Sequence, residues 1–207
     1  MIADEVVSAF GRLGDWFGTS VMGMKPDLIT VAKGITSGYV PLSACMVTSK
    51  VWDVLVEGSE GTAFGHGYTY SSHPLAAAAA LANLDIVEDR SLIANVKERG
   101  ERLQKRLREA FDGHPMVGEV RGRDLIAAVE FVESTDPPKR FDPSLGVGKK
   151  ITKACLDRGV ITRALPEADT ISFSPPFVVE EAEIDRMAEV ARDAADEVMA
   201  SLELRGN

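Results

Sequence analysis

Pro26-Asp27-Leu28-Ile29-Thr30-Val31-Ala32-Lys33-Gly34-Ile35-Thr36-Ser37-Gly38-Tyr39-Val40-Pro41 is the stretch on which the fold turns. Leu28 to Ala32, apolar and rich in β-branched residues, reads as a buried strand that stops at a lysine and a glycine. Lys33 therefore stands at a strand's carboxyl end. In open α/β sheets that edge is where ligands sit, and glycines at 34 and 38 let the backbone pass close to a bulky group. A lysine held there, partly desolvated, is a good amine nucleophile, because burial disfavours its charged form. It can condense with an aldehyde. The plainer reading is a lysine that caps a strand in solvent, and this stretch alone leaves both open.

Upstream, Met1-Ile2-Ala3-Asp4-Glu5-Val6-Val7 is apolar and then acidic. If it forms a strand parallel to the first, Asp4 lies on the same sheet edge as Lys33, and a carboxylate and an amine face one pocket. Downstream, Leu42 to Thr48 reads as another strand, and Ser49 as the cap of a short helix around Val51 to Val56 that Gly58 ends. The loop from Gly61 to Pro74 is too glycine-rich for regular structure and too aromatic for a plain linker. Pro74, with Ser72 as N-cap, opens a helix through the alanines 76–80 to Val87, and small hydroxyls before a helix start suit an anion. Ser91 caps a second helix, whose apolar residues Leu92, Val96, Leu103, Leu107 and Phe111 recur at helical spacing among dense charge, read as a solvated face.

Gly113-His114-Pro115 breaks that pattern and sets the expected domain boundary, 1–112 and 113–207. Beyond it, Val117 to Arg121 and Leu125 to Val132 alternate like antiparallel strands. Ser134 to Leu145 reads as a loop, and Lys149 to Arg158 as a helix ended by Gly159. Val160-Ile161-Thr162 reads as a strand leading to Arg163, Ile171-Ser172-Phe173 as another, and Glu180 to Leu202 as an amphipathic helix. This is the pattern of a small α+β domain. Arg163 is either a solvated loop residue or a fork for a carboxylate, which arginine grips bidentately and lysine cannot.

The chain has 207 residues, 45% of them hydrophobic, enough for one large or two small domains with a core. A net charge of −9 argues against nucleic acid, whose phosphates need neutralising, and against anionic membrane surfaces. No apolar run approaches a membrane span, and Asp4 and Glu5 do not suit a signal peptide, so the expected compartment is the cytoplasm. Cys45 and Cys155 read as reduced thiols, and His66 and His73 as loop residues rather than a metal site.

Ile2-Ala3-Asp4-Glu5-Val6, Gly11-Arg12, Phe17-Gly18, Pro26-Asp27, Ala32-Lys33-Gly34, Ser37-Gly38-Tyr39-Val40-Pro41 and His66-Gly67-Tyr68-Thr69-Tyr70-Ser71 together resemble the class III aminotransferases of the omega-transaminase type. The likeness runs through nearly the whole chain in order and corresponds to the C-terminal half of the family's chain. Twenty-nine positions separate Asp4 from Lys33, the family's habitual interval.

The resemblance implies an α/β fold of type I, with residues 1–112 as the C-terminal part of a large domain on a mainly parallel sheet and 113–207 as the small α+β domain. It implies pyridoxal 5'-phosphate as cofactor and Lys33 as the catalytic residue, forming the Schiff base and then moving a proton as general acid/base. Asp4 would pair with the pyridine nitrogen and keep it protonated. Val6, two residues along the strand and so on the same side, would press one ring face. Thr69 would reach the cofactor phosphate of a partner subunit, in a homodimer or a dimer of dimers, and Arg163 would hold a substrate carboxylate. The segment from Phe10 to Gly18 would line the mouth of the site. The implied reaction moves an amino group between an amine or amino acid and a keto acid. Same-fold lyases, decarboxylases and aminomutases share most of these motifs, and a non-catalytic truncated fragment serving only in dimerisation is the alternative of a different class. The family usually has glycine at the position of Ser72 and often near Asp124.

Overall fold

The computed structural model describes residues 1–57, 65–166 and 169–203. Gly58 as a helix terminator, and Gly61 to Phe64 of the aromatic loop, lie outside the described residues. Two compact units divide between Ala94 and Asn95, not at the Gly113 break.

The first unit holds a three-stranded sheet in the order β1 (Ile2–Asp4), β2 (Leu28–Val31), β3 (Ala44–Val47). β1 runs parallel to β2 with Ile2 beside Leu28, Ala3 beside Ile29 and Asp4 beside Thr30. β3 returns antiparallel, so the sheet is mixed. The chain reverses after β2 through a 3-10 turn, Lys33–Ile35, and the positive-φ pair Ser37 (+49°) and Gly38 (+80°). Helices α1 (Gly18–Val21), α2 (Ser49–Glu57) and α3 (Pro74–Asp89) complete the unit. Its core is small: Ala9, Phe10 and Val31 are buried, with Trp16, Phe17, Ile29, Ile35 and Leu84 packed around them.

Several expectations shift by local chemistry. Ser49 opens α2 from inside, while the Thr48 carbonyl accepts the N–H groups of Val51 and Trp52, each at 3.0 Å. His73 rather than Ser72 caps α3: its Nδ1 accepts the Leu75 N–H at 3.2 Å, and Ser72 sits in the left-handed region at φ +58°, where a cap cannot form. Val6 lies beyond β1, because the last bond joining that strand to β2 is Glu5 N–H to the Thr30 carbonyl and the chain then turns away. The strand-alternation reason for placing Val6 therefore fails.

The second unit packs α4 (Leu92–Phe111), which the boundary divides, with α5 (Val147–Asp157) and α6 (Glu181–Glu203), against an antiparallel sheet in the order β4 (Val117–Arg123), β5 (Ile126–Phe131), β9 (Thr170–Phe173), β8 (Arg163–Ala164). Every second residue of β5, namely Ala127, Val129 and Phe131, is buried against Leu103, Leu107, Ile151, Ile184 and Ala191 of the helices. That shared core is why α4 belongs with the second unit. At Gly100 a Cβ would lie 2.4 Å from Asp124 Cα, so only glycine lets α4 meet the β4–β5 turn, where Asp124 itself adopts φ +47°.

The charge on α4 is not merely solvated: Arg102 grips Asp185 of α6 at 3.0 and 2.6 Å, Arg106 reaches Asp185 at 3.0 Å and Arg99 reaches Glu181 at 2.5 Å. Between β5 and α5 the chain forms a two-rung hairpin, β6 (Ser134–Thr135) and β7 (Pro138–Lys139), where a loop is expected. Residues 160–162 are not a strand; Gly159 (φ +80°) ends α5, and the ladder begins only at Arg163, opposite Ser172.

Candidate active site

The end of β2 delivers Lys33 into the left-handed region at φ +44°, a conformation that costs a non-glycine residue about 1–3 kcal/mol and persists only where the surrounding structure imposes it. Two contacts hold the turn. The Asn83 amide on α3 donates to the Gly34 and Ile35 carbonyls at 2.9 and 3.1 Å. On the other side Gly34 passes so near Phe10 that an added Cβ would meet the Ala9 carbonyl at 3.2 Å. The Thr36 hydroxyl then donates to the Val40 carbonyl at 2.7 Å. Lys33 is exposed; its carbonyl accepts the Thr36 N–H at 3.3 Å, while its ammonium makes no hydrogen bond or ion pair with the described residues. Among the described residues nothing covers the Lys33 side chain, so they do not supply the desolvation expected of it.

Asp4 lies on the neighbouring strand, beside Thr30. Its Oδ1 accepts the Val6 N–H at 3.0 Å and, more loosely, the Thr30 hydroxyl at 3.4 Å. Its Oδ2 has no partner among the described residues. Asp4 and Lys33 form no ion pair. The structure thus brings an unpaired amine and a half-engaged carboxylate to the ends of adjacent parallel strands, with Val6 half-buried in the turn that fixes the carboxylate.

Glu5 points the other way. Only 2% exposed, it accepts the Ser8 hydroxyl at 2.5 Å, the Gly18 N–H at 2.9 Å and the Thr19 N–H at 2.5 Å. Burial pushes its carboxyl up, but the bonds from Ser8, Thr19 and Gly18 outweigh burial and leave it below the ordinary range. In the same loop burial lowers the half-buried Arg12 guanidinium to about 10.

Thr69 stands exposed in a turn closed by Ser71 N–H to the Tyr68 carbonyl (2.9 Å) and Tyr68 N–H to the Ser71 hydroxyl (3.0 Å). Arg163, in the second unit, lines a cleft of about 650 Å³ with Ser172, Ser174, Pro175 and Arg186, and no described carboxylate pairs with it. Its strand position is fixed by β9, where the Ser172 hydroxyl donates to the Arg163 carbonyl at 3.3 Å.

Reasoning from sequence passed over Glu5, Thr30 and Asn83. A legible signal existed for one: Asn83 is a lone amide in the apolar run Leu81 to Leu84 of an alanine-rich helix. The other two are visible only once the strand register is known.

The model of the class III aminotransferases matches residues 1–194. An uncharacterized aminotransferase of Sinorhizobium fredii is 51% identical over 98% of this chain, and the diaminobutyrate–2-oxoglutarate transaminase of Halomonas elongata is 47% identical over all of it. A transaminase structure solved in work on directed evolution by ancestral reconstruction superposes over 97% of the chain with a TM-score of 0.95 and 55% identity. The chain spans 44% of the length of each of these three.

Proposed function

Because this chain belongs to the class III aminotransferases, a family that works with pyridoxal phosphate, we propose that it carries the lysine and the ring-binding carboxylate of a transaminase moving an amino group between an amine or amino acid and a keto acid. The observation that supports this best is the parallel register of β1 and β2, which puts Asp4 and Lys33 on one sheet edge with Oδ2 and the ammonium both unengaged. That donor set fits the cofactor: an amine for its aldehyde and an acceptor for its ring N–H.

Pyridoxal phosphate, when bound, supplies an electron sink for the bond broken at the substrate carbon. The chain's own residues do the rest. Lys33 would hold the cofactor through its amine and would carry the proton as general acid/base. Asp4 would offer Oδ2 to the ring nitrogen, a charge-assisted bond worth on the order of 1.5–3 kcal/mol. Val6, half-buried in the turn after Asp4, would press a ring face as the family pattern implies, although strand alternation does not place it there. Thr69 would serve the phosphate of a partner subunit in a homodimer or dimer of dimers, and Arg163, whose guanidinium pairs with no carboxylate among the described residues, would receive a substrate carboxylate. The first unit is then part of the cofactor-binding domain and the second is the small domain. We place the protein in the cytoplasm, where an exposed free thiol such as Cys45 stays reduced.

Adding pyridoxal phosphate to the purified protein is expected to produce a visible absorption band that Lys33→Ala abolishes. Asp4→Asn is expected to keep the band and to lower the transamination rate at least tenfold, by the worth of the lost bond. A Lys33→Ala protein with the parent's band would refute the assignment, and amine loss without any keto-acid requirement would favour a lyase.

A further inference from the structure

Glu5 is a buried carboxylate, set between two residues of the proposed site, that takes no direct part in it. Asp4 before it is exposed and Val6 after it half-buried, while Glu5 turns inward and is almost inaccessible. Its contacts come from three separate segments, residues 8–9, the start of α1 and the end of β2. The Glu5 N–H donates to the Thr30 carbonyl at 2.9 Å, its own carbonyl accepts the Ala9 N–H at 3.0 Å, and its carboxylate gathers Ser8, Gly18 and Thr19. The fit at Gly18 is close: a Cβ there would sit 3.0 Å from Glu5 Oε2.

The N–H that fixes Asp4 Oδ1 belongs to Val6, in the same peptide plane as the Glu5 carbonyl. That plane is held at one end by Ala9 and at the other by Asp4, and its Cα is held by the carboxylate clamp on the first turn of α1. We propose that Glu5 is a positioning residue for Asp4: it locks the peptide that engages Oδ1 and so leaves Oδ2 aimed at the cofactor ring. This rests on the role given to Asp4 above. A general structural role predicts loosening everywhere, whereas positioning predicts an effect that exists only while Asp4 can bind the ring.

The test is a double-mutant cycle on pyridoxal phosphate affinity, read from the visible band in the purified protein. Glu5→Gln keeps the shape but turns an NH₂ towards buried donors, and is expected to weaken binding about tenfold, with no further weakening in an Asp4→Asn background. The pH midpoint of the band should move in Glu5→Gln in the same direction as in Asp4→Asn. Ser8→Ala, which removes one donor and leaves the rest, should show a smaller shift with the same non-additivity, and it carries the cycle if Glu5→Gln does not fold. Equal weakening in both backgrounds, or an unmoved affinity and pH midpoint, overturns the proposal. If Asp4→Asn alone changes nothing while Lys33→Ala removes the band, the role of Asp4 fails and the positioning role with it. A parent protein with no band refutes the proposed function itself.

Discussion

Lys33 is held at φ +44° by its surroundings rather than by its own preference, and the firmest of those surroundings is Asn83. One side chain satisfies two carbonyls of the turn that follows the lysine. Asn83→Ala leaves both partly buried acceptors without that donor, at a cost of about 1–3 kcal/mol, and frees the lysine backbone to relax towards negative φ. The expected outcome is a lower denaturation midpoint together with weaker retention of pyridoxal phosphate on dialysis; a loss of stability with full retention would separate the turn from the cofactor. Lys33 itself was legible from the strand that stops before it. The left-handed backbone was not, since nothing in Ala32-Lys33-Gly34 says which residue takes the positive φ. Ser72 and Asp124, both left-handed and both at or near positions where the family tends to have glycine, show that the resemblance carried backbone information that residue type alone hides.

Among the elements, the longer helices read from sequence because their apolar spacing is local, whereas the four-residue α1 did not and the helices' partners were hidden. The arginines of α4 look like a solvated face until α6 lies beside them with Glu181 and Asp185. The α4–β4 junction adds a titratable group. His114 is buried, its Nδ1 accepts the Met116 N–H at 3.1 Å, and its Nε2 lies 3.3 Å from Asp196 Oδ1 out of line for a hydrogen bond. Burial, aided by Arg192, lowers its pKa from 6.5 against the opposing pull of Asp196. A depressed histidine stabilises the fold fully above 6.5, and that contribution is lost as pH falls from 6.5 through the lower folded value, because the unfolded chain takes up the proton first. Thermal denaturation should therefore show a midpoint that declines below about pH 6.5, and His114→Asn, which can still accept from Met116, should flatten the decline. An unchanged slope in that variant would assign the effect to the carboxylates instead. The short β8 and the β6–β7 hairpin were misread for a related reason: two-residue strands carry no periodicity and exist only where a neighbour offers a ladder.

At the scale of the molecule, two units are joined through α4, and among the described residues no helix is long and apolar enough to cross a membrane. The first unit leaves much apolar surface open, including Trp52, Val54, Leu75 and Leu81. Thr69, exposed in its turn, is the residue whose proposed role needs a second subunit. Mixing Thr69→Ala with Lys33→Ala, followed by subunit exchange, should restore parent-like cofactor affinity in a fraction of sites, because one mixed site then takes Lys33 from one subunit and Thr69 from the other. Mixtures no better than the separate variants would confine Thr69 to its own subunit.

The amino-acid order by itself determined the strand that stops just before Lys33, the acidic strand end at Asp4, the long helices and the family, since these rest on local periodicity and on motifs read in sequence. Only the tertiary structure decided that Asp4 stands beside Thr30 with one oxygen engaged and one open, that Glu5 is buried beneath it and that Asn83 clamps the lysine turn. Each of those depends on which distant segments meet, and register, burial and hydrogen-bond partners come into being only when the chain has closed on itself.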